Sequence, residues 1–237
     1  MAIATINSVA WANLASASGA AKAAIASING QSAPAGASYV FSDDLEYANA
    51  AAAASAGWTD AGTPTWAYTT SPAPLQGTYS CLSNAAANSS YYDFTATDPV
   101  GIYFMFSVSA ISTTPHLCRF YNSTTELFRV RALSTGAIRI YTGGGTTLAT
   151  SSSAGLVAND TVYHLWIEAT AGSGSNGSVA VSISTTATKP PSPDVSSLAS
   201  THTLGLSRFY IAVGVNSCNL IADKIRVASS AIGSNPT

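Results

Sequence analysis

Charge is scarce in this chain. Only 8% of its 237 residues are Asp, Glu, Lys or Arg, against about 25% in an average soluble domain, so surface solvation falls to Ser, Thr, Asn and Gly. A net charge of −2 supplies no basic footprint for nucleic acid. Cysteine is nearly missing too. Cys81, Cys118 and Cys218 are odd in number and widely spaced, with no CxxC. That excludes a complete intrachain disulfide framework and a zinc site, and Cys118, in phase with Phe120, is expected as a small buried side chain. No apolar run approaches the roughly 18 residues of a membrane span, so no membrane insertion is expected. The first residues lack the basic n-region of a signal peptide, and synthesis and assembly in a cytoplasm are the expectation. So low a charge suits a subunit packed in an assembly, or a Ser/Thr-rich extracellular domain.

What is present begins with a repeat. Ile3-Ala4-Thr5-Ile6-Asn7-Ser8, Leu14-Ala15-Ser16-Ala17-Ser18-Gly19 and Ile25-Ala26-Ser27-Ile28-Asn29-Gly30 recur at a constant step of 11 residues. A fixed period marks a structural unit used several times, and each unit ends in turn chemistry that tolerates positive φ. Residues 1–36 are therefore expected to be an arm of three strand-and-turn units. Its large apolar side chains, Ile3, Ile6, Trp11, Leu14, Ile25 and Ile28, are too few to order it alone, so it should dock on something.

Residues 37–237 are expected to form one domain. Asp43 and Glu46 have capping-box spacing, and an alanine run to Ala56 followed by Gly57 permits either a short helix or an extended loop. From about Thr78 the pattern has period two. Val100, Ile102, Phe104, Phe106, Val108 and Ala110 mark one face of a strand. The same alternation returns in Phe128/Val130, Ile138/Ile140, Tyr163/Leu165/Ile167, Val179/Val181/Ile183, Phe209/Ile211/Val213 and Ile221/Ile225/Val227. With turn clusters between them, ten or so short strands indicate an all-β, antiparallel two-sheet sandwich.

The run Pro74–Ser80, the strand Thr161–Ile167, the loop Gly172–Gly177, and Ile221–Val227 followed by Ile232–Pro236 resemble the concanavalin A-like jelly-roll domains of the laminin-G-like lectin/glucanase group. They look in particular like the versions found in bacteriophage virion proteins, and the Ile-Asn-Gly repeats look like leading segments of phage head and tail proteins. The resemblance implies a jelly roll used for carbohydrate or protein contact.

Catalytic patterns of that group are missing. A retaining glycosidase needs two carboxylates about 5 Å apart, yet Glu46, Glu126 and Glu168 are isolated from one another, no Glu-x-Asp-x-x-Glu run is present, and neither Glu126 nor Glu168 has an aspartate two residues away. His116, His164 and His202 do not pair at metal-ligand spacing, and Asp43-Asp44 and Asn159-Asp160 are too sparse for calcium. No cofactor and no metal are expected. His164, Trp166 and Glu168 share a strand face, which is either a platform for a sugar ring or a second core layer.

One constellation stands out. Arg119, Arg129, Arg131 and Arg139 fall on three consecutive strands, all out of phase with the core. With hairpin turns near Thr124 and Leu133–Thr135, Arg119 should lie opposite Arg129, Arg129 beside Tyr141, and Arg131 beside Arg139. Like charges side by side destabilise a sheet, so the partner is a ligand, another subunit, or Glu168 or a loop aspartate. The reading that follows is a non-enzymatic bacteriophage virion protein, a capsid-decoration or head-fibre subunit attached through its arm. The alternative is a tail-associated module gripping host surface carbohydrate. The expected partners are other virion proteins of capsid or tail, further copies of the chain, and a host glycan.

Overall fold

A computed structural model describes residues 27–28, 31–32, 38–60, 65–66, 73–86, 88–172, 176–200, 202–212, 214–215 and 218–236. The chain divides into two units, 1–38 and 39–237. In the first, strands β1 (Ser27–Ile28) and β2 (Gln31–Ser32) pair antiparallel, with Ile28 opposite Gln31. They fall in the third repeat. The remainder of the expected arm, including Ile3, Ile6, Trp11, Leu14 and Ile25, lies outside the described residues.

The second unit is built from β3 (Tyr39–Asp43), β4 (Thr59–Asp60), β5 (Thr65–Trp66), β6 (Cys81–Ser83), β7 (Ser89–Thr97), β8 (Val100–Val108), β9 (His116–Asn122), β10 (Thr125–Ala132) and β11 (Ile138–Thr142). After these come β12 (Thr147–Thr150), β13 (Tyr163–Thr170), β14 (Gly177–Ser184), β15 (Val195–Ser200), β16 (Leu206–Ala212) and β17 (Leu220–Ala228). Seven strands form one sheet in the order β12-β11-β10-β9-β16-β7-β4. The other sheet runs β15-β14-β13-β8-β17-β6-β5, with β3 also paired to β17. Every pairing is antiparallel. This is the expected two-sheet jelly-roll sandwich.

The inner faces meet in one core. Phe104, Phe106, Phe120, Phe128 and Phe209 are fully buried and touch in a chain of ring contacts, with Phe120 4.8 Å from Phe128 and 5.4 Å from Phe209. Each such ring contributes roughly 1.5–3 kcal/mol of transfer free energy. Cys81, Cys118 and Cys218 are reduced and packed in this core. The β10–β11 hairpin closes through Leu133 N to Ala137 O at 2.8 Å, and its Gly136, at φ +77, has no room for a side chain: a Cβ there would stand 2.6 Å from Val157 O.

Two details differ from expectation. The helix, α1 (Ala50–Ser55), exists, but its cap is Asn49, whose side chain accepts from Ala52 N at 2.9 Å. Asp43 instead accepts from Leu45 N, Tyr47 Oη and Trp58 Nε1, while Glu46 accepts from Thr78 N and Tyr79 N. Ile221, expected in the main core, packs on the opposite face with Leu82 and Leu75. A register shift between Asp223 and Arg226, with Lys224 at φ +48, changes the phase of β17, so that Leu220 and Ala222 precede Ile225 and Val227 in the core. Val213 lies outside the described residues.

Candidate functional site

The arginines converge on the outer face of the seven-stranded sheet. Arg129 pairs with Arg119 on one side and Tyr141 on the other, and Arg131 pairs with Arg139. The row that contains Arg129 continues in both directions: Arg119 pairs with Tyr210, Tyr210 with Tyr91, and Tyr141 with Thr147. A parallel row runs Asp93, Arg208, Tyr121, Glu126, and another runs His116, Arg131, Arg139, Thr150. Tyr91, Tyr210 and Tyr141 are half-buried. Tyr210 lies 4.8 Å from Tyr91 and 4.6 Å from Tyr121 between ring centroids, and the Arg208 guanidinium stands 4.0 Å over the Tyr91 ring.

Two members of this face owe their place to β-bulges. Strict alternation with Phe128 would turn Glu126 inward, and alternation with Cys118 would do the same to His116. Register shifts between Glu126 and Phe128, and across Leu117 opposite Val130–Arg131, insert one extra residue each. Leu127 and Leu117 take core positions, and Glu126 and His116 emerge among the arginines.

Charge compensation is uneven. Glu126 forms ion pairs with Arg119 and, at 2.8 Å, with Arg129 Nε, and accepts from Tyr121 Oη at 2.9 Å. The Arg129 contact lacks hydrogen-bond alignment, leaving Glu126 Oε1 and Arg129 Nε without a directional partner. Arg129 Nη2 donates to Gly143 O at 2.8 Å. Glu168, one expected partner, is not near: it belongs to the other sheet and pairs with Lys189. Arg208 is matched by Asp93, with Nη2 donating to Oδ2 at 2.7 Å. Arg131 and Arg139 differ. Arg131 donates to Thr114 O at 3.0 Å and Thr114 Oγ1 at 2.8 Å, and Arg139 to Thr150 Oγ1 at 2.8 Å and Tyr141 Oη at 3.2 Å. Those acceptors are neutral. Both guanidinium carbons lie within 5.8 Å of the Tyr141 ring centroid, and no ion pair among the described residues involves either arginine.

The electrostatics follow. Burial, with Arg129 and Arg139 adding repulsion, lowers the pKa of Arg131 against an opposing effect of Tyr141, though a guanidinium stays charged. Burial also raises Tyr121, opposed by Arg119 and reinforced by Glu126, so it remains a neutral donor. His116 is pulled down to about 3 by burial and then by Arg131, Arg119 and Arg129. It is a neutral imidazole whose buried Nδ1 has no hydrogen-bond partner. Gly214 packs against it, where a Cβ would meet Nδ1 at 2.6 Å. A cavity of about 530 Å³ adjoins the hairpin end of the face, lined by Glu126, Thr142, Gly143, Thr146, His202 and Leu204 among others.

The His164, Trp166 and Glu168 set meets a different fate. Trp166 is buried beside Tyr103, Met105, Ala228 and Ile232, and its Nε1 donates to Gly233 O at 3.1 Å. His164 Nδ1 shares a hydrogen bond of 2.7 Å with Tyr103 Oη. Trp166 thus belongs to a second core layer, with His164 hydrogen-bonded to Tyr103 of that layer and Glu168 half-buried beside Lys189, and its covered ring offers a sugar no stacking face. Sequence reasoning missed Tyr91, Tyr121, Arg208, Tyr210 and His116. The phase of Arg208 and Tyr210 against Phe209 and Ile211 marked them as outward, but nothing in it placed β16 beside β9.

No family model matches the sequence, and no curated protein matches it significantly. Among solved structures, the marine alginate lyase of Aplysia kurodai is similar over 82% of this chain and 100% of its own, at 8% identity and TM-score 0.59. The endo-β-1,4-glucuronan lyase of the fungus Trichoderma reesei covers 81% and 96%, at 9% identity and TM-score 0.53. An alginate lyase in complex with an alginate trisaccharide covers 79% and 97%, at 12% identity and TM-score 0.53. At these identities the likeness shows the jelly-roll fold. The expectation of a non-enzymatic virion subunit is corrected by the same finding: the three structures named are polysaccharide lyases.

Proposed function

We propose that this protein is a polysaccharide lyase acting on a uronate-containing glycan at the arginine and tyrosine face. The observation that carries the reading is Arg131 and Arg139 flanking Tyr141 without a carboxylate of their own. Like cations held side by side favour an anion between them. A uronate carboxylate is an anion of the right geometry for guanidinium forks.

Binding there has a chemical consequence. Pairing the carboxylate with guanidinium removes its negative charge and stabilises the charge that develops when the adjacent C5–H bond is broken. Tyr141, whose Oη accepts from Arg139 Nη1 at 3.2 Å, is the proton-transfer group. The C5 proton passes to the Tyr141 oxygen as the phenol's own proton passes to O4; the C5–H electron pair becomes the C4–C5 double bond, the C4–O4 bond breaks, O4 leaves as a hydroxyl and Tyr141 ends as the neutral phenol it began. The step needs neither water nor an oxidant. The solved alginate and glucuronan lyases of the same fold support the choice of substrate class.

The test is incubation of the purified protein with alginate and with glucuronan, following the ultraviolet absorbance of the unsaturated uronate product. Turnover is expected on at least one of them. Arg131→Gln/Arg139→Gln together should lower kcat/KM at least about 100-fold, the scale of losing preorganised charge stabilisation, and Tyr141→Phe should lower kcat while retaining binding. Absence of any unsaturated product from both polymers, or turnover untouched by the double arginine change, overturns the proposal.

A further inference from the structure

Building on the lyase reading, we infer that the face is an electrically graded track that binds an oligouronate lying across the strands, with its recognised carboxylate at the β10–β11 end and its remaining rings over the β7–β16 tyrosines. The gradient is written in the ion pairs. At β7–β16 the single cation, Arg208, is neutralised by Asp93. At β9–β10 two cations, Arg119 and Arg129, share one carboxylate, Glu126. At β10–β11 Arg131 and Arg139 hold neutral acceptors. Positive potential therefore rises from one end of the row to the other.

Aromatic surface follows the opposite trend. Tyr91 and Tyr210 are cross-strand neighbours at the compensated end, with Tyr121 packed behind them, and Tyr141 stands alone at the cationic end. From Tyr91 to Tyr141 the row crosses β7, β16, β9, β10 and β11. Four inter-strand spacings come to about 19 Å, enough for roughly four pyranose rings at about one ring per strand. The compensated end can accept a ring through apolar and hydrogen-bonding contact without requiring its charge. The cationic end cannot, because an uncharged ring would leave two guanidiniums desolvated and unpaired. The track thus fixes which way round the ligand lies.

Titration calorimetry with saturated uronate oligomers of increasing length, in a Tyr141→Phe background that binds without cleaving, tests this. Affinity should rise with length to about four units and then level off, the span set by the strand spacing. Arg131→Gln/Arg139→Gln should weaken every length by at least about tenfold, the worth of one charge-assisted hydrogen bond. Adding Tyr91→Ala/Tyr210→Ala should remove the gain of the longer oligomers and leave the shortest unchanged. Equal weakening of short and long oligomers by the tyrosine pair, or an arginine effect confined to long ones, overturns the gradient. The same holds if affinity does not rise with length. Turnover without this length pattern defeats the track alone. The pattern without turnover defeats the lyase reading alone.

Discussion

The two sheets each carry aromatic and charged side chains on their outer faces, and they use them in opposite ways. On the eight-stranded sheet Tyr103, Met105, Trp166 and Ile232 close over one another, Glu168 pairs with Lys189 and Arg226 with Asp44, and Asp223 is buried with Ser80 Oγ and Gln76 N as donors. On the seven-stranded sheet Tyr91, Tyr141 and Tyr210 stay half-buried, and Arg131 and Arg139 keep their charge uncompensated by any described carboxylate. The contrast teaches that residue type alone does not identify a binding face. What distinguishes the two is whether the chain covers the face and whether its charges are already satisfied.

That contrast can be broken most severely at Trp166. Trp166→Ala should destabilise the protein by about 3–5 kcal/mol, as removal of a buried indole does, measured by urea unfolding, with oligouronate affinity of the folded fraction unchanged. An affinity loss with little change in stability would make the covered face the functional one. Glu126→Gln comes next and acts on the other sheet. Leaving Arg119 and Arg129 without their shared carboxylate should cost about 1–3 kcal/mol, while oligouronate binding tightens and its salt dependence steepens because the face gains one net positive charge.

The third test is a pH profile. His116 sits at about 3 in the folded protein, below its ordinary 6.5, so between those values the unfolded chain holds a proton that the folded one does not. The neutral imidazole's contribution is complete above about pH 6.5 and is lost as pH falls toward 3. His116→Gln should flatten that part of the stability profile relative to the parent protein, with Arg131, Arg119 and Arg129 the charges that face the site. An unchanged slope would mean that His116 does not stay neutral under the arginines. The smallest effect is expected from Lys189→Gln. Its partner Glu168 is 42% exposed, so the pair should be worth less than about 1 kcal/mol and binding should not respond.

Much of this was legible in the sequence. The alternation in Val100–Val108 and Phe128–Val130 reported both the strands and their inner faces, and the turn residues near Thr124 and Leu133 were enough to place Arg119, Arg129, Tyr141, Arg131 and Arg139 as neighbours in the register observed. The charge partner was not legible, because alternation assigns Glu126 to the core and only a bulge, which leaves no mark in hydrophobic pattern, reverses it. The long-range neighbours Tyr91 and Tyr210 were hidden for another reason. The order β9-β16-β7 joins β16 to segments about 90 and about 115 residues away, and pairing at that distance is settled by tertiary packing rather than by local sequence. The non-enzymatic reading rested on the absence of a carboxylate pair, a pattern that is informative for glycosidases alone and says nothing about a face built from arginine and tyrosine.

The bulges at Leu117 and Leu127 have an evolutionary consequence. Each holds one residue beyond the ladder: without Leu127 the register would run from Phe128 opposite Phe120 straight to Glu126 opposite Tyr121, and without Leu117 from Cys118 opposite Val130 straight to His116 opposite Arg131. Loss of either codon would therefore leave Glu126 and His116 outward and remove only a leucine from the core. A lineage carrying this fold could gain or lose either bulge at a cost in core packing while the charges of the arginine face stayed the same.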